Sequence, residues 1–355
     1  MHQGSISFFG DRRRERRGKP VPRKRKIGIT TTIPVETIFA AGCVPVDLNN
    51  RFIADDSPTM LVERAEREGF PRNMCAWIKG IYGTVIGSDD IDTVIAVTQG
   101  DCSNTQALME TLQHRGRKVI PFAFLHDRNE DSMRSEIEKL ARALGATWDE
   151  TLAVHEKMNP VRDRLAEIDE MTWQSGLVSG EENYRWLVTS SDFEGDFDSF
   201  ATRAEKFANE ASERKPQKDD VRIALLGIPP IFSDLLPFLE SKGARVVFNE
   251  IPRQFSMPRH REGLVKQYLR YTYPYDIFYR LWDIREEISR RRVDGAIHYV
   301  QSFCFRQIQD IIMRESIDLP LFSLEGDRPG PLDARTRMRL ETFVEILQLK
   351  KNARQ

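Results

Sequence analysis

Cysteine is scarce in this chain: four among 355 residues, too few and too scattered for a disulfide framework. That count suits a reducing compartment and thiol chemistry instead. No apolar run approaches the ~20 residues that cross a bilayer. The N-terminus has no apolar signal core, so the chain is expected to stay in the cytoplasm. A dinucleotide fingerprint is missing as well, because Gly227-Ile-Pro-Pro has none of the G-x-G-x-x-G spacing, which disfavours a tightly held NAD. What remains is 40% hydrophobic and 30% charged, a globular composition long enough for two cores.

The net charge of -1 hides an uneven distribution. Asp11 to Lys26 carries ten Arg or Lys against two acids. An arm of this kind can touch nucleic acid or an acidic partner. No aromatic residues interleave its charges, as a stacking platform requires, so a solvated tail over residues 1–26 is expected and nucleic acid is not.

The chain is organised around Asp92 to Leu108, Asp-Thr-Val-Ile-Ala-Val-Thr-Gln-Gly-Asp-Cys-Ser-Asn-Thr-Gln-Ala-Leu. A β-branched run breaks at Gly100-Asp101, places Cys102 in the break and resumes as a helix that Ser103 or Asn104 could cap. Cys102 is therefore expected at a strand's carboxyl end, where open α/β sheets bind ligands. A helix N-terminus beside it would favour the thiolate. Asp294-Gly-Ala-Ile-His-Tyr-Val-Gln-Ser-Phe-Cys304 repeats the pattern, with the cysteine again ten positions after the aspartate. The segment from Arg306 to Arg314 that follows is helix-like.

The duplication extends through both halves. Lys26-Ile-Gly-Ile-Thr, a helix from Pro34 to Ala41 and Val44-Pro-Val-Asp-Leu match Arg222-Ile-Ala-Leu-Leu-Gly, a helix from Phe232 to Ser241 and Gly243-Ala-Arg-Val-Val-Phe. Arg117-Lys-Val-Ile-Pro-Phe-Ala-Phe-Leu likewise matches Ile317-Asp-Leu-Pro-Leu-Phe-Ser-Leu. Such alternation implies parallel sheets covered by helices on both faces. The fold class expected is α/β, with two flavodoxin/Rossmann-like parallel-sheet domains, a helical connector and a cleft between the domains. The first domain covers 27–150, the connector 151–219, and the second domain 220–355 ends in a helix from Asp333 to Leu349. Glu210 to Asp220 is polar and free of large apolar residues, which marks the clearest boundary.

Spacing alone does not make the cysteines a metal site. Cys75, Cys102 and Cys304 are separated by 27 and 202 residues, unlike a compact CxxC string, and each could be a buried apolar side chain. The two equivalent strand ends at Cys102 and Cys304 favour a shared cleft. Cys43 sits at a helix-to-strand turn on the apolar side of the pattern, where core filling is the simpler role. His298 lies within a strand, as a satisfied sheet residue would. His126, Glu325 and Asp327 follow strands at the ligand-binding edge, and Arg306 lies two residues past Cys304.

Together these pieces resemble a known family. Pro34-Val-Glu-Thr-Ile-Phe-Ala-Ala-Gly-Cys-Val-Pro-Val is similar to the P-x-E-L-I-x-A-A-G-x-x-P-V opening of the 2-hydroxyacyl-CoA dehydratase and benzoyl-CoA reductase subunits. Asn73-Met-Cys75, Asp101-Cys102-Ser-Asn-Thr and Ser302-Phe-Cys304 resemble that family's three ligand motifs. Leu177-Val-Ser-Gly-Glu, Leu319-Pro-Leu-Phe-Ser-Leu-Glu-Gly-Asp and Thr336-Arg follow its pattern too. The resemblance spans about residues 27 to 347. Thr30-Thr-Thr-Ile departs from members with an aromatic residue or cysteine there, and nothing in the connector can be assigned to CoA.

The resemblance implies that Cys75, Cys102 and Cys304 hold a [4Fe-4S] cluster with one iron left for substrate, water or another small ligand. It implies an ATP-dependent iron-sulfur activator, an acyl-CoA substrate, and a homologous second subunit or a homodimer. The reaction implied is transfer of one low-potential electron to a CoA thioester, giving a ketyl radical. Two other readings share the scaffold: an iron-sulfur reductase or electron-transfer component acting on a non-CoA small molecule, and a non-catalytic binding or assembly protein.

Overall fold

The computed structural model describes residues 24–218 and 221–353; nearly all of the basic arm lies outside them. Strands β1 (Lys26–Ile29), β2 (Val44–Asp47), β3 (Thr93–Gln99) and β4 (Val119–Ala123) form one parallel sheet in the order β2-β1-β3-β4. Strands β5 (Val221–Gly227), β6 (Ala244–Asn249), β7 (Gly295–Gln301) and β8 (Leu321–Gly326) repeat that order as β6-β5-β7-β8. The chain is thus built from two Rossmann-like α/β units. Every residue of β7 is buried, as are the first five of β3, because helices cover both faces of a parallel sheet and leave no solvated side to alternate with. In each sheet the chain winds one way from the first strand and then the other. This creates a switch point at the carboxyl ends of β1 and β3, and of β5 and β7.

Several helices differ from their sequence-based spans. The first begins at Glu36, and the helix expected from Phe232 begins at Leu235. Asp234 is drawn into long-range bonds there, accepting from the Leu332 amide at 2.8 Å and from Arg337. After Cys304 the chain makes a 3₁₀ turn, Phe305–Gln309, before the helix Asp310–Ser316. The residue preceding the helix Ser103–His114 is Cys102 itself, with neither Ser103 nor Asn104 as the cap.

The stretch between the sheets is helical, including Trp148–Glu170, Gly180–Thr189 and Phe197–Ser212. Thr147 with Glu150, and Ser179 with Glu182, close reciprocal capping boxes at the starts of the first two. Leu165, Ile168 and Phe200 pack in one core with Ile27, Ile29 and Phe122, and Tyr268 and Tyr271 from the second half join it. Glu36, fully buried, ties the same three segments together. It accepts from Arg162 Nη2, Gln267 Nε2 and Tyr268 Oη, each at 2.7 Å.

The helix Ala76–Ile86 has ten of its eleven residues buried. Its Trp77 and Ile81 share a core with Ile223, Leu225 and Tyr299 of the second unit. This helix also packs closely on Pro58–Arg67: a Cβ at Gly83 would lie 2.3 Å from the backbone oxygen of Leu61. A main-chain oxygen cannot swing aside as a side chain can. Gly83→Ala is therefore expected to lower stability by about 1–3 kcal/mol, read as the denaturant midpoint. It should also displace the helix that begins beside Cys75; an unchanged midpoint would show that the two helices separate freely.

Candidate functional site

A cavity of about 140 Å³ lies where the two sheets' carboxyl edges meet. Thr30 and Thr31 follow β1, Asp47 ends β2, and Asp101 and Cys102 follow β3; Ile228 follows β5 and Cys304 follows β7. Cys75 contributes from the turn into Ala76–Ile86, so all three predicted cysteines line this one cavity. Trp77, Ile78, Ile81 and Phe305 make much of its wall apolar.

Each cysteine immediately precedes a helical turn whose amides face its sulfur. Amides of Trp77 and Ile78 serve Cys75, that of Thr105 serves Cys102 and that of Arg306 serves Cys304. Gly100 lets the chain turn sharply ahead of Cys102. Its φ is +94°, and a Cβ would meet those of Phe124 and Pro274 at 2.8 Å, so only glycine meets both demands. Phe303 reaches a similar left-handed conformation ahead of Cys304, with φ +63°.

The expected thiolate is not the state of the metal-free protein. Burial, reinforced by the proximity of Cys304, pushes the Cys75 thiol up to about 12. Burial and the Asp101 charge push Cys102 up to about 11, and burial raises Cys304 despite the Arg306 guanidinium. Desolvation outweighs the helix terminus here because the penalty of an unpaired buried anion exceeds the field of a few amides. Cationic iron bound there would reverse that balance by compensating the thiolate charge, with the amides still donating to sulfur. By this donor chemistry the three residues fit an iron-sulfur cluster. Among the described residues no trio of His, Cys, Asp or Glu closes to single-ion spacing. A cube requires no such closeness, because its own width lies between its ligand sulfurs.

The other residues singled out from sequence separate into two groups. Cys43 is buried in the core with Ile38 and Phe122 and its thiol faces the Ala41 carbonyl at 3.5 Å, away from the cysteine-lined cavity. His126 is exposed after β4. His298 is buried in β7, bonded through Nδ1 to Asp310 at 2.7 Å, and lines a small pocket beside Cys304 with Arg280 and Arg306. Arg306 donates to the Tyr273 carbonyl at 2.7 Å and lies over that ring. Glu325 accepts from Ser302 Oγ at 2.8 Å, bracing the turn into Cys304, and the Asp327 carbonyl accepts from Gln301 at the same distance.

Sequence reasoning passed over Asp47, Trp77 and Tyr273. Asp47 carried a usable signal as an acid at a strand's carboxyl end before a helix. Tyr273 carried none, since it arrives from the second half and donates to Asp101 across 3.2 Å. Asp101 also accepts from Thr105 at 3.0 Å, and burial raises its pKa.

No curated protein matches the chain. The family model described as 2-hydroxyglutaryl-CoA dehydratase, D-component, matches residues 30–347, nearly the whole length and every cysteine at the cavity. The chain belongs to the 2-hydroxyglutaryl-CoA dehydratase D-component family.

Proposed function

We propose that this chain is the [4Fe-4S] cluster-bearing subunit of a 2-hydroxyacyl-CoA dehydratase or a benzoyl-CoA reductase-like enzyme, with Cys75, Cys102 and Cys304 as protein ligands. The observation that carries this reading is the meeting of three cysteines, distant in sequence, at one cavity in a chain of this family. Held by Cys75, Cys102 and Cys304, such a cluster would supply low-potential one-electron chemistry at a CoA thioester carbonyl, its electron coming from an ATP-dependent iron-sulfur activator. The chain's own residues bind and shield the substrate. Trp77, Ile78, Ile81 and Phe305 offer apolar surface that keeps water from a reactive acyl group. Asp47, Asp101, Thr30 and Asn49 supply the few polar groups that orient it. A homologous second subunit, or a second copy of this chain, completes the assembly in the cytoplasm.

Anaerobic purification followed by incubation with activator, ATP and a panel of 2-hydroxyacyl-CoA esters tests the proposal. Bound iron and labile sulfide with formation of an enoyl-CoA are expected. A protein with no bound iron or sulfide would refute the cluster, and iron without turnover across the panel would point to another electron acceptor.

A further inference from the structure

The walls of the cysteine-lined cavity restrict the kind of acyl chain that can enter it. A thioester carbonyl that reaches the cysteines brings the rest of its acyl group with it, because only a few carbon–carbon bonds separate the two ends. Beyond the cysteine turns, the helices Leu48–Ile53, Ala76–Ile86 and Gly180–Thr189 furnish Ile53, Trp77, Ile78, Ile81, Tyr184 and Val188 to the wall. Asn50 Nδ2 ties the first of these helices to the third and to the residues that follow it. It donates to the Val188 carbonyl at 3.2 Å and to Ser191 Oγ at 3.1 Å, which fixes the spacing between Ile53 and Val188.

Among the described residues no Lys, Arg or His lines this cavity. The cations carried by the same elements are engaged elsewhere: Arg51 Nη2 pairs with Asp90 at 2.8 Å, Lys79 Nζ with Glu66 at 2.8 Å and Arg185 Nη2 with Glu181 at 3.3 Å. Arg253, two residues before Phe255 of the wall, is held by Asp283 and Glu287. Arg306 lines the small pocket beside Cys304 instead, donating to the Tyr273 carbonyl and lying over the Tyr273 and Phe305 rings. Apart from the cysteines and tyrosines, the ionisable side chains on the cavity wall are two acids, Asp47 and Asp101. A carboxylate carried in on an acyl chain would lose its water and find no counter-ion, only like charges or neutral donors. A hydrocarbon end is favoured there by the apolar area it buries.

We propose that the acyl group this cavity accepts is uncharged and apolar at its far end, so that the substrate is the CoA thioester of a monocarboxylic acid and a dicarboxylic acyl group is rejected. This rests on the acyl-CoA reading above and departs from the glutaryl group that the family description names. Val188 and Ile53 are the specificity-determining residues, since they supply hydrocarbon where a dicarboxylic substrate needs a cation. Asp47 and Asp101 face the polar atoms near the thioester, and their charge adds to the exclusion of a second carboxylate.

Glutaryl-CoA and 5-methylhexanoyl-CoA form the test pair. Their terminal carboxylate and isopropyl groups match in shape and differ in charge, and the CoA portion is common to both. Neither carries a 2-hydroxyl, so isothermal titration calorimetry of the anaerobically purified protein reads binding without turnover. The 5-methylhexanoyl ester is expected to bind about 10²–10³-fold more tightly. Equal affinities, a preference for glutaryl-CoA, or no binding of either ester overturns the proposal. Val188→Arg changes a side chain and leaves the carbonyl that Asn50 holds; it should narrow the ratio by about tenfold or more, while Val188→Met should preserve it. A Val188→Arg protein with unaltered far-UV circular dichroism and an unaltered ratio removes Val188 from the acyl wall and overturns its role in specificity. Turnover of the two 2-hydroxy esters separates this proposal from the reading beneath it. Preferential binding of 5-methylhexanoyl-CoA with no dehydration of any 2-hydroxyacyl-CoA leaves the apolar acyl pocket supported and refutes the dehydratase reading. Faster dehydration of 2-hydroxyglutaryl-CoA than of 2-hydroxy-5-methylhexanoyl-CoA supports that reading and refutes the selectivity.

Discussion

Cys75→Ser, Cys102→Ser and Cys304→Ser are each expected to reduce bound iron and labile sulfide to background in anaerobically purified protein, and to abolish turnover. Cys43→Ser should leave both unchanged. A thiolate matches iron in softness and charge, whereas a serine hydroxyl stays protonated at working pH and binds it poorly. The swap is also mild sterically, costing about 1–3 kcal/mol where the new hydroxyl lacks a partner, so the variants should fold. Far-UV circular dichroism measured beside the iron assay separates lost metal from lost fold. Full iron content in all three variants would refute the ligand assignment. Because the metal-free thiols are held protonated by burial, reconstitution must displace protons, and its rate should rise with pH.

Glu36→Ala is expected to have the largest effect on stability of any change outside the cavity. It strands Arg162, 2% exposed, without its counter-ion, which typically costs about 3–5 kcal/mol. For a chain of this size that corresponds to a fall in Tm on the order of 10 °C. Burial alone would raise the Glu36 pKa, but the Arg162 guanidinium, with His155 and Tyr268, outweighs it and holds the carboxyl well below its usual range. The folded pKa is depressed, so this contribution is fully present above the unfolded value of about 4.3 and is lost as pH falls below it. The gap between wild type and Glu36→Gln should therefore narrow on acidification. Replacing both partners, Glu36→Leu with Arg162→Met, should recover much of the loss, because a packed apolar pair carries no desolvation penalty. A Tm for Glu36→Ala within a degree of wild type would show that this clamp does not hold the three segments together.

Glu36 also shows where motif reading stops. It falls within the family-like opening Pro34-Val-Glu, which invites a catalytic role, yet it lies outside the cysteine-lined cavity and bonds to the connector and the second half. The partners of a buried acid depend on segments more than a hundred residues away, and local spacing carries no trace of them. Helix starts erred for the same reason: Asp234 is held by Leu332 and Arg337, so the helix begins after it.

The amino-acid sequence by itself determined the two parallel-sheet units, because continuous β-branched runs alternating with helical periodicity have only one stable way to bury both sheet faces. It also determined that Cys102 and Cys304 follow strands, since the glycine or serine turns that end those runs are local features, and its ordered motifs were enough to point to the family. Only the tertiary structure decided that Cys75, Cys102 and Cys304 line one cavity and that Cys43 packs in a core away from it. Those outcomes depend on how two sheets and the helices between them pack against one another, and on the burial that this packing imposes on each ionisable group.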